Sequence, residues 1–424
     1  MLDIKFIREN SDIIKEAARK KHSSFKVDDL ISSDEKRLAI LKDIESLRAE
    51  QNKVSDSIQK ASVLERTEMI DAMRIVKENL KKKEEEMEEV MKEWRTLMLA
   101  VPNIPDMSVP EGKDDTENIE VSTWGTIPTF SFTPLDHIEL MEKQDMVDFE
   151  RGTKTAGFRG YFLKNDAAML EMAVWQYVMA RWQKKGFTPM LVPSLVKREA
   201  LLGSGYLPQG EDDLYKDGND YLAGTGEVAS MFYHSDEVLD EKELPKKIIA
   251  WSPCFRKEAG SHGKDVKGLI RVHEFYKCEQ VVLCKASHEE SVKFHEDLTR
   301  FSEEMMEELN IPYHRLLICG GDLGMGQVKK YDIEAWMPSQ NKYRETHSAS
   351  YFHDFQTRRL NIRYKDAEGK LRYVHSLNNT AAATPRLLTA IVENYQQADG
   401  TILVPEVLVP FMDGKTVLGT PFRV

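Results

Sequence analysis

The sequence predicts a two-part α+β protein, in which an N-terminal helical hairpin precedes a larger domain of mixed helices and strands. Between residues 40 and 97, apolar residues recur at alternating spacings of four and three, which is typical of paired helices. Five prolines then fall between residues 101 and 135 and interrupt regular structure. From residue 135 onward, helix-like and strand-like segments are mixed. The 424 residues suffice for two or three domains of about 100–200 residues each.

The amino-acid composition limits the kinds of protein that this chain can be. Hydrophobic residues make up 41% of the chain, and the formal net charge is −12. An acidic chain is poorly suited to bulk, non-specific binding of nucleic acid, so such a partner would need local basic patches. The four cysteines are scattered without CxxC spacing, which favours reduced thiols over disulfides or a zinc site. The first ten residues lack the apolar core of a signal peptide, and no stretch approaches about 18 apolar residues. We expect a cytoplasmic protein without a membrane segment.

The N-terminal region is expected to begin with one short amphipathic helix over residues 1–25. Two coiled-coil arms follow, joined near residues 62–66, and they most simply fold back as an antiparallel hairpin over about 28–99. The first seam consists of Ile40, Ile44, Leu47, Gln51, Val54, Ile58 and Ala61, and the second of Met69, Met73, Val76, Leu80, Lys83, Met87, Val90, Trp94 and Leu97.

Cations crowd one part of the second arm: Arg74, Lys77, Lys81, Lys82 and Lys83. They could contact the phosphates of a nucleic acid, which usually supply most of the affinity. They could equally form a solvated face of a dimerisation or spacer coiled coil. The residues themselves leave both interpretations open.

The proline cluster and an acidic run at 111–120 predict a linker over 106–134, between an N-terminal domain at 1–105 and a second domain at 135–424. Within the second domain, a helix is expected from about Asn165 to Lys185. Gly186 ends that helix, and a strand over 187–192 is closed by Pro193.

A basic hairpin is expected between Ser252 and Gln280. An apolar run leads into Phe-Arg-Lys-Glu at 255–258, a loop rich in glycine and charge that includes Lys264 follows, and residues 269–275 return as the second strand. Such a hairpin can hold cations over an anionic ligand. An ordinary charged hairpin has the same composition, so this segment does not decide the function by itself.

Three further stretches carry polar groups in suggestive patterns. Thr225 and Glu227 lie two apart, and on an extended segment they would share one face and could grip an ammonium group. Tyr-Arg-Glu-Thr-His-Ser occupies 343–348, and Arg386 stands at the start of an expected helix, where backbone amides also favour anions.

The order of these motifs resembles the class II aminoacyl-tRNA synthetases, specifically the seryl-tRNA synthetase family. Residues 166–193 match motif 1, residues 248–280 match motif 2, and residues 374–395 match motif 3. The resemblance includes the N-terminal arms and so covers nearly the whole chain. It implies a mainly antiparallel sheet ringed by helices, a homodimer built through motif 1, and a helical hairpin that recognises the long variable arm of tRNA(Ser).

The resemblance also implies a reaction in which L-serine and ATP give seryl-adenylate and the seryl group then passes to tRNA(Ser), with tRNA(Sec) left open as a second acceptor. It assigns Arg256, Glu279 and Arg386 to catalysis. It assigns serine binding to Thr225, Gly226, Glu227, Arg256, Glu279, Asn378 and Thr380. ATP would be bound by Arg256, Lys257, Glu258, Arg271, Val272, Phe275, Glu345, Thr346, His347, Ser348 and Arg386, and Mg²⁺ with ATP by Glu345 and Ser348.

The chain departs from the family pattern at three positions. Ala381 and Pro385 replace the usual glycines of motif 3, and Gly226 stands where alanine is common. Three rival functions remain to be weighed: a paralogue that loads a carrier other than tRNA, a catalytically inactive tRNA-binding or scaffold protein, and a pure coiled-coil interaction protein. The intact arm argues against the first, and the retained charged residues argue against the second. The large domain after the arm argues against the third.

Overall fold

The structure is a computed structural model that describes residues 1–58, 62–260, 263 and 265–422. Ala61, predicted in the first seam, and Lys264, predicted in the basic loop, lie outside the described residues. The chain forms two compact units, Met1–Pro102 and Asn103–Val424. No helix of the described part is long and apolar enough to cross a membrane.

The first unit is helical. Its elements are α1 (Ile4–Glu9), α2 (Ser11–Lys20), α3 (Val27–Ile58) and α4 (Val63–Ala100). The two long helices, α3 and α4, pair as the predicted hairpin. The prediction of a single helix over residues 1–25 is wrong, because the backbone of Asn10 leaves the helical region at φ −130° and ψ 41° and separates α1 from α2.

The hairpin combines an apolar seam with polar pairs between its helices. Ile44, Met73 and Val76 are buried in the seam. Lys83, the one cation at a predicted second-seam position, places its Nζ 3.2 Å from Asp43 Oδ2 on the facing helix. A charged pair within a coiled-coil seam contributes little stability, but it favours one alignment of the two helices over others.

A buried carboxylate fastens the first unit near the start of α3. Asp34 accepts hydrogen bonds from Arg8 Nη1 at 2.8 Å, from Arg37 Nε at 2.9 Å and from Trp94 Nε1 at 3.0 Å. Burial alone would raise the pKa of Asp34, but these donors outweigh it and lower the pKa. The carboxylate therefore ties α1 and both arms together.

The second unit contains the remaining elements. Its helices are α5 (His137–Lys143), α6 (Phe149–Ala156), α7 (Asn165–Lys184), α8 (Arg198–Ser204), α9 (Gly226–Phe232), α10 (His288–Glu308), α11 (Phe355–Leu360) and α12 (Arg386–Asn394). Its strands are β1 (Ile119–Trp124), β2 (Val147–Asp148), β3 (Phe162–Leu163), β4 (Thr188–Leu191), β5 (Leu195–Lys197), β6 (Tyr215–Asp217), β7 (Asp220–Leu222), β8 (Val238–Asp240), β9 (Lys246–Phe255), β10 (Glu274–Cys284), β11 (Tyr313–Leu317), β12 (Lys329–Met337), β13 (Lys342–His353), β14 (Arg363–Lys365), β15 (Leu371–Tyr373), β16 (His375–Thr384), β17 (Ile402–Leu403) and β18 (Val417–Leu418).

An eight-stranded sheet organises the second unit, in the order β1-β11-β12-β13-β16-β10-β9-β4. All neighbours are antiparallel except β4 and β9, which run parallel at one edge. Helices α7, α10 and α12 pack against this sheet and bury the largest apolar core. The mainly antiparallel sheet with surrounding helices is therefore confirmed.

The segment predicted as a linker, 106–134, carries a strand. Strand β1 pairs with β11 and forms the edge of the main sheet. Asn118 also accepts a hydrogen bond from Cys319 N at 2.9 Å. The prolines of this segment flank the strand, and its six residues are too few to give a clear periodic signal in the sequence.

The basic hairpin is formed by β9 and β10, but its second strand starts later than predicted. Strand β10 begins at Glu274 and not at Leu269. Leu269, Ile270 and Val272 are buried in the preceding loop, so their apolar character reflects packing and not strand pairing. The helix and strand of the motif 1 region are found at α7 and β4, close to the predicted bounds.

Candidate active site

A cavity of about 420 Å³ opens on one face of the main sheet. Because side chains alternate along a strand, Phe275, Lys277 and Glu279 of β10 line this cavity, while Tyr276 lines a different one on the opposite face. Twelve of the residues that the resemblance assigns to substrates line it: Glu227, Arg256, Glu258, Val272, Phe275, Glu279, Glu345, Thr346, Ser348, Asn378, Thr380 and Arg386.

One part of the cavity is acidic. Glu227 and Glu279 are both buried, and Tyr206 Oη donates to Glu227 Oε2 at 3.0 Å. Burial, together with the nearby charge of Glu279, raises the pKa of Glu227 to about 7. A positively charged ligand placed here would favour the ionised carboxylate and be held by it.

Gln356 positions Glu227 through a chain of buried hydrogen bonds. Its Nε2 donates to Glu227 Oε1 at 2.6 Å and to Ser204 O at 2.9 Å. Its Oε1 accepts from Ser376 Oγ at 2.7 Å. Because the Ser204 carbonyl can only accept, it fixes the side on which the amide nitrogen lies. Sequence reasoning missed both Gln356 and Tyr206, because neither lies in a motif and only the fold brings them to Glu227.

Lys277 was also missed. Its Nζ lies 2.5 Å from Glu279 Oε2, and both side chains are almost fully buried. The alternation along β10 could have found it, because Lys277 lies between Phe275 and Glu279 on the same face of the strand. This cation offsets the charge of one of the two carboxylates in the acidic part.

A β-bulge shapes the wall next to Glu279. In the pairing of β10 with β16, Cys278 faces Ala382 but Glu279 faces Thr380, so Ala381 is an extra residue in β16. The bulge pairs Thr380 with Glu279 across the two strands. Both of them line the cavity.

The opposite part of the cavity is basic. Arg386 Nε donates to Ile270 O at 3.0 Å, and its Nη1 lies 3.2 Å from Glu345 Oε2. Burial alone would raise the pKa of Glu345, but the charges of Arg386, Lys330 and Arg256 outweigh it and lower the pKa. Lys330, another residue that sequence reasoning missed, lines the cavity as well.

A flat aromatic ring and a guanidinium meet between the two parts. The Arg256 guanidinium carbon lies 5.6 Å from the centroid of the Phe275 ring. Arg256 Nη2 makes a long hydrogen bond of 3.4 Å to Gly224 O, and most of its donors are left available to a ligand by the residues that the structure describes. Such an arrangement can receive a planar ring and an anionic group side by side.

The structure corrects the expected conformation of the Thr225–Glu227 segment. It is not extended throughout, because helix α9 begins at Gly226 and Thr225 is its N-cap. Thr225 Oγ1 accepts a hydrogen bond from Glu227 N at 3.2 Å, as an N-cap threonine commonly does. Thr225 and Gly226 do not line the cavity, whereas Glu227 reaches it from the first turn of the helix.

Three other expected ATP ligands lie outside the cavity lining. Arg271 Nη1 donates to Glu258 Oε2 at 3.0 Å, and its Nε donates to Asp265 Oδ2 at 3.1 Å. Lys257 is exposed. His347 is buried, and burial lowers its pKa to about 4, so this imidazole is neutral at pH 7.

The cavity thus has buried carboxylates in one part and guanidinium groups in another. It suits a pair of ligands, one carrying an ammonium group and the other carrying a polyphosphate and a flat ring. Among the described residues, no cluster of three or more histidine, cysteine, aspartate or glutamate side chains could hold a metal ion by itself.

Comparison with known families divides the chain in two. A family model described as the seryl-tRNA synthetase N-terminal domain matches residues 1–105. A second model, described as the class II tRNA synthetase core domain (G, H, P, S and T), matches residues 211–395.

Full-length relatives and solved structures agree with these models. The serine–tRNA ligase of Deinococcus radiodurans is 46% identical over 100% of both chains, and that of Dictyoglomus turgidum is 42% identical over 97% of this chain and 98% of its own. The crystal structure of seryl-tRNA synthetase from Pyrococcus horikoshii complexed with ATP has a TM-score of 0.92 and 39% identity, covering 100% of both chains. The cytoplasmic serine–tRNA ligase of Naegleria fowleri in complex with AMP has a TM-score of 0.86 and 33% identity, covering 99% of each.

Proposed function

Because this chain belongs to the seryl-tRNA synthetase family of class II aminoacyl-tRNA synthetases, we propose that its cavity joins L-serine to ATP and passes the seryl group to tRNA(Ser). The separation of charge inside one cavity carries the proposal. Buried carboxylates at Glu227 and Glu279 suit the ammonium group of an amino acid. Guanidinium groups at Arg256 and Arg386 suit its carboxylate and the phosphates of ATP.

The first step forms seryl-adenylate. An oxygen of the serine carboxylate attacks the α-phosphorus of ATP, and the bond to the β-phosphate oxygen breaks, releasing pyrophosphate. The substrate supplies its own nucleophile, so the protein needs no nucleophilic side chain. Its contribution is to align the two substrates and to neutralise charge, with Arg256 between the serine carboxylate and the α-phosphate.

In the second step a hydroxyl of the tRNA attacks the acyl carbon of seryl-adenylate, and AMP leaves. The serine ammonium group stays at Glu227 and Glu279 during both steps, and the serine hydroxyl lies at Thr380 and Asn378. A site that hydrogen-bonds a hydroxyl strongly rejects alanine, because its buried polar groups would be left unpaired. Threonine adds one methyl group, which a close fit rejects by about 1–3 kcal/mol.

ATP takes the other part of the cavity. Phe275 stacks on the adenine ring, Glu258 fixes the adenine edge, and Arg386 binds the outer phosphates. Thr346 and Val272 line the same part. Arg271 reaches the outer phosphates only if it leaves Glu258 and Asp265, which hold its side chain in this structure.

The cavity also fits a Mg²⁺ ion bound together with ATP. Glu345 and Ser348 both line it, and the Glu345 side chain is 42% exposed. Two oxygen donors from the protein, completed by phosphate oxygens and waters, match the usual surroundings of this ion. When bound, Mg²⁺ would neutralise phosphate charge.

The hairpin of α3 and α4 serves as the tRNA-binding arm. The N-terminal family model supports this role, and so do the exposed cations Arg74, Lys77 and Lys81 on α4. The expected dimer would form through the motif 1 region. In support, helix α7 exposes Met169 and Met172, and the edge strand β4 exposes Leu191. The four buried free cysteines agree with a cytoplasmic location.

The test is amino-acid-dependent exchange of pyrophosphate into ATP, run with serine, threonine, alanine and glycine. We expect exchange with serine, much weaker exchange with threonine and none with the other two. Absence of exchange with all four would refute the enzymatic function, and exchange with alanine or glycine alone would refute the serine assignment.

The arm is tested separately. Deletion of residues 35–95 should leave serine-dependent exchange largely intact and abolish charging of tRNA(Ser). Surviving charging would refute the role given to the arm. The same charging assay, repeated with tRNA(Sec), decides whether this second acceptor is used.

A further inference from the structure

His137, the first residue of helix α5, contacts two elements that build the candidate active site. Its side chain is buried and lies outside the cavity lining. One partner is Glu393, on the helix α12 that begins at Arg386. The other partner is Leu269, in the loop between β9 and β10. The reaction proposed above gives His137 no role.

The hydrogen bonds of His137 assign a separate role to each ring nitrogen. The backbone N–H of Leu269 donates to His137 Nε2 at 3.1 Å. Because a backbone N–H can only donate, Nε2 is the acceptor and the ring proton lies on Nδ1. Nδ1 then donates to Glu393 Oε1, which is 3.0 Å away. One nitrogen therefore holds the loop, and the other holds α12.

The contact between α5 and α12 is fixed by further hydrogen bonds. Glu393 is fully buried, its Oε1 also accepts from His137 N at 3.1 Å, and its Oε2 accepts from Ser339 N at 3.1 Å. Just beyond α12, Gln396 Oε1 accepts from Leu135 N at 2.8 Å, and its Nε2 donates to Leu135 O at 3.0 Å. The imidazole of His137 therefore has a fixed position relative to α12.

The loop packs closely against this imidazole. Gly268 has a φ of +83°, and a Cβ added to it would clash with His137 Nε2. The conformation and the close approach both require glycine at this position. Two residues further on, the carbonyl of Ile270 accepts a hydrogen bond from Arg386 Nε at 3.0 Å. The residue that His137 holds, Leu269, is thus the direct neighbour of the residue that orients Arg386.

We propose that His137 is a positioning residue for Arg386. It holds the Ile270 carbonyl in place, and this carbonyl directs the Arg386 guanidinium toward the outer phosphates of ATP. The inference rests on the proposed function, which assigns those phosphates to Arg386. A small displacement of a group that aligns a substrate can cost much of its effect. Loss of the contact to Leu269 should therefore weaken the binding of ATP and leave the serine site, in the acidic part of the cavity, unchanged.

Two substitutions separate the two contacts of His137. His137→Gln places an amide oxygen near the position of Nε2 and so keeps an acceptor for Leu269 N. His137→Asn is shorter, places its amide nitrogen near the position of Nδ1, and keeps only the contact to Glu393. In serine-dependent pyrophosphate exchange, we expect His137→Asn to raise the KM for ATP at least tenfold, with the KM for serine within threefold of wild type. His137→Gln should keep both KM values within threefold.

Direct binding gives a readout that a general loss of structure would not reproduce. ATP and AMP are titrated by calorimetry into the full-length wild-type protein and into His137→Asn, without serine. The affinity for ATP should fall at least tenfold in the variant. The affinity for AMP should stay within twofold, because AMP lacks the outer phosphates that Arg386 binds.

The loop provides a second variant, which keeps the proposal testable if His137→Asn fails to fold. Gly268→Ala places a methyl group against His137 Nε2 and should raise the KM for ATP in the same selective way. Gly414→Ala is the matched control, because Gly414 has a similar φ of +79° but no described atom within 4 Å of an added Cβ. This control has the same backbone strain without the clash, and it should follow the wild type.

Three results would overturn the proposal: an equal KM for ATP in His137→Asn and His137→Gln, an equal loss of ATP and AMP affinity in His137→Asn, or equal kinetics of Gly268→Ala and Gly414→Ala. Failure of the proposed function is distinguishable from these results. It would appear as absent serine-dependent exchange in the wild-type protein, whereas failure of the present inference leaves wild-type exchange intact.

Discussion

Replacement of Gln356 by methionine should change the pH at which the enzyme uses serine. The change removes an amide that donates to Glu227 Oε1 at 2.6 Å, and methionine is of similar length. A hydrogen bond to a charged group contributes about 1.5–3 kcal/mol, and one pKa unit corresponds to about 1.36 kcal/mol. Because the lost donor stabilises the ionised form, the pKa of Glu227 should rise by about one to two units from its value of about 7.

The consequence for serine follows from the ionised fraction of Glu227. At pH 7 that fraction falls from about one half to between about one tenth and one hundredth. A protonated carboxyl no longer attracts the serine ammonium group. We therefore expect kcat/KM for serine to fall about five- to fifty-fold at pH 7 and to recover toward the wild-type value near pH 9. The KM for ATP should be unchanged, because ATP binds in the basic part of the cavity.

The assay is serine-dependent pyrophosphate exchange between pH 6 and pH 9, with serine well below its KM, so that the profile reports the free enzyme. Gln183→Met, an exposed change on α7, is the matched control and should follow the wild type. If Gln356→Met lowers the rate without moving its pH profile, the hydrogen bond does not control the ionisation of Glu227 and the reasoning fails.

Three further changes test other parts of the structure. Asp34→Asn should lower the free energy of unfolding of the first unit by about 3 kcal/mol, because it breaks a buried ion pair. Amide hydrogen exchange in α3 should then accelerate about 100-fold, and an unchanged exchange rate would refute the role of this carboxylate. Arg386→Ala should raise the KM for ATP at least tenfold and leave the KM for serine within threefold, whereas equal effects on both would contradict its placement. Gly226→Ala should keep exchange within twofold of wild type, because the new Cβ lies 3.3 Å from Ser252 Oγ, a hydroxyl that can rotate, and at ordinary contact distances of 3.4 and 3.6 Å from the Cβ atoms of Ala250 and Glu279. A large loss would show that the space is needed.

The sequence predicted those parts of the fold that have a strong periodic or motif signal. The seams of α3 and α4, the helix α7 and the hairpin of β9 and β10 all have such signals. Strand β1 was missed because its six residues lie among prolines. The start of β10 was misplaced because Leu269 is buried in a loop. In a sequence, an apolar residue buried in a loop cannot be told apart from an apolar residue buried in a strand.

The residues of the candidate site also divide into those that the sequence predicts and those that it does not. Residues inside motifs, such as Arg256 and Arg386, were found and do line the cavity. Tyr206 and Gln356 were not found, because they lie far from Glu227 along the chain, and only the packing of α8 and α11 with α9 brings them to it. Thr225 was predicted to face the ligand but caps helix α9 outside the cavity lining, because a threonine that caps a helix has the same sequence pattern as one that faces a ligand.

The bulge at Ala381 explains how an altered motif 3 can keep its geometry. The geometry of this wall depends on the number of residues in β16. With one residue fewer, Glu279 would face a different neighbour and Thr380 would turn to the other side of the sheet. Ala381 in place of the usual glycine changes the volume and keeps the count, and its methyl group is fully buried in the apolar core. This position should therefore tolerate small side chains and reject any insertion or deletion.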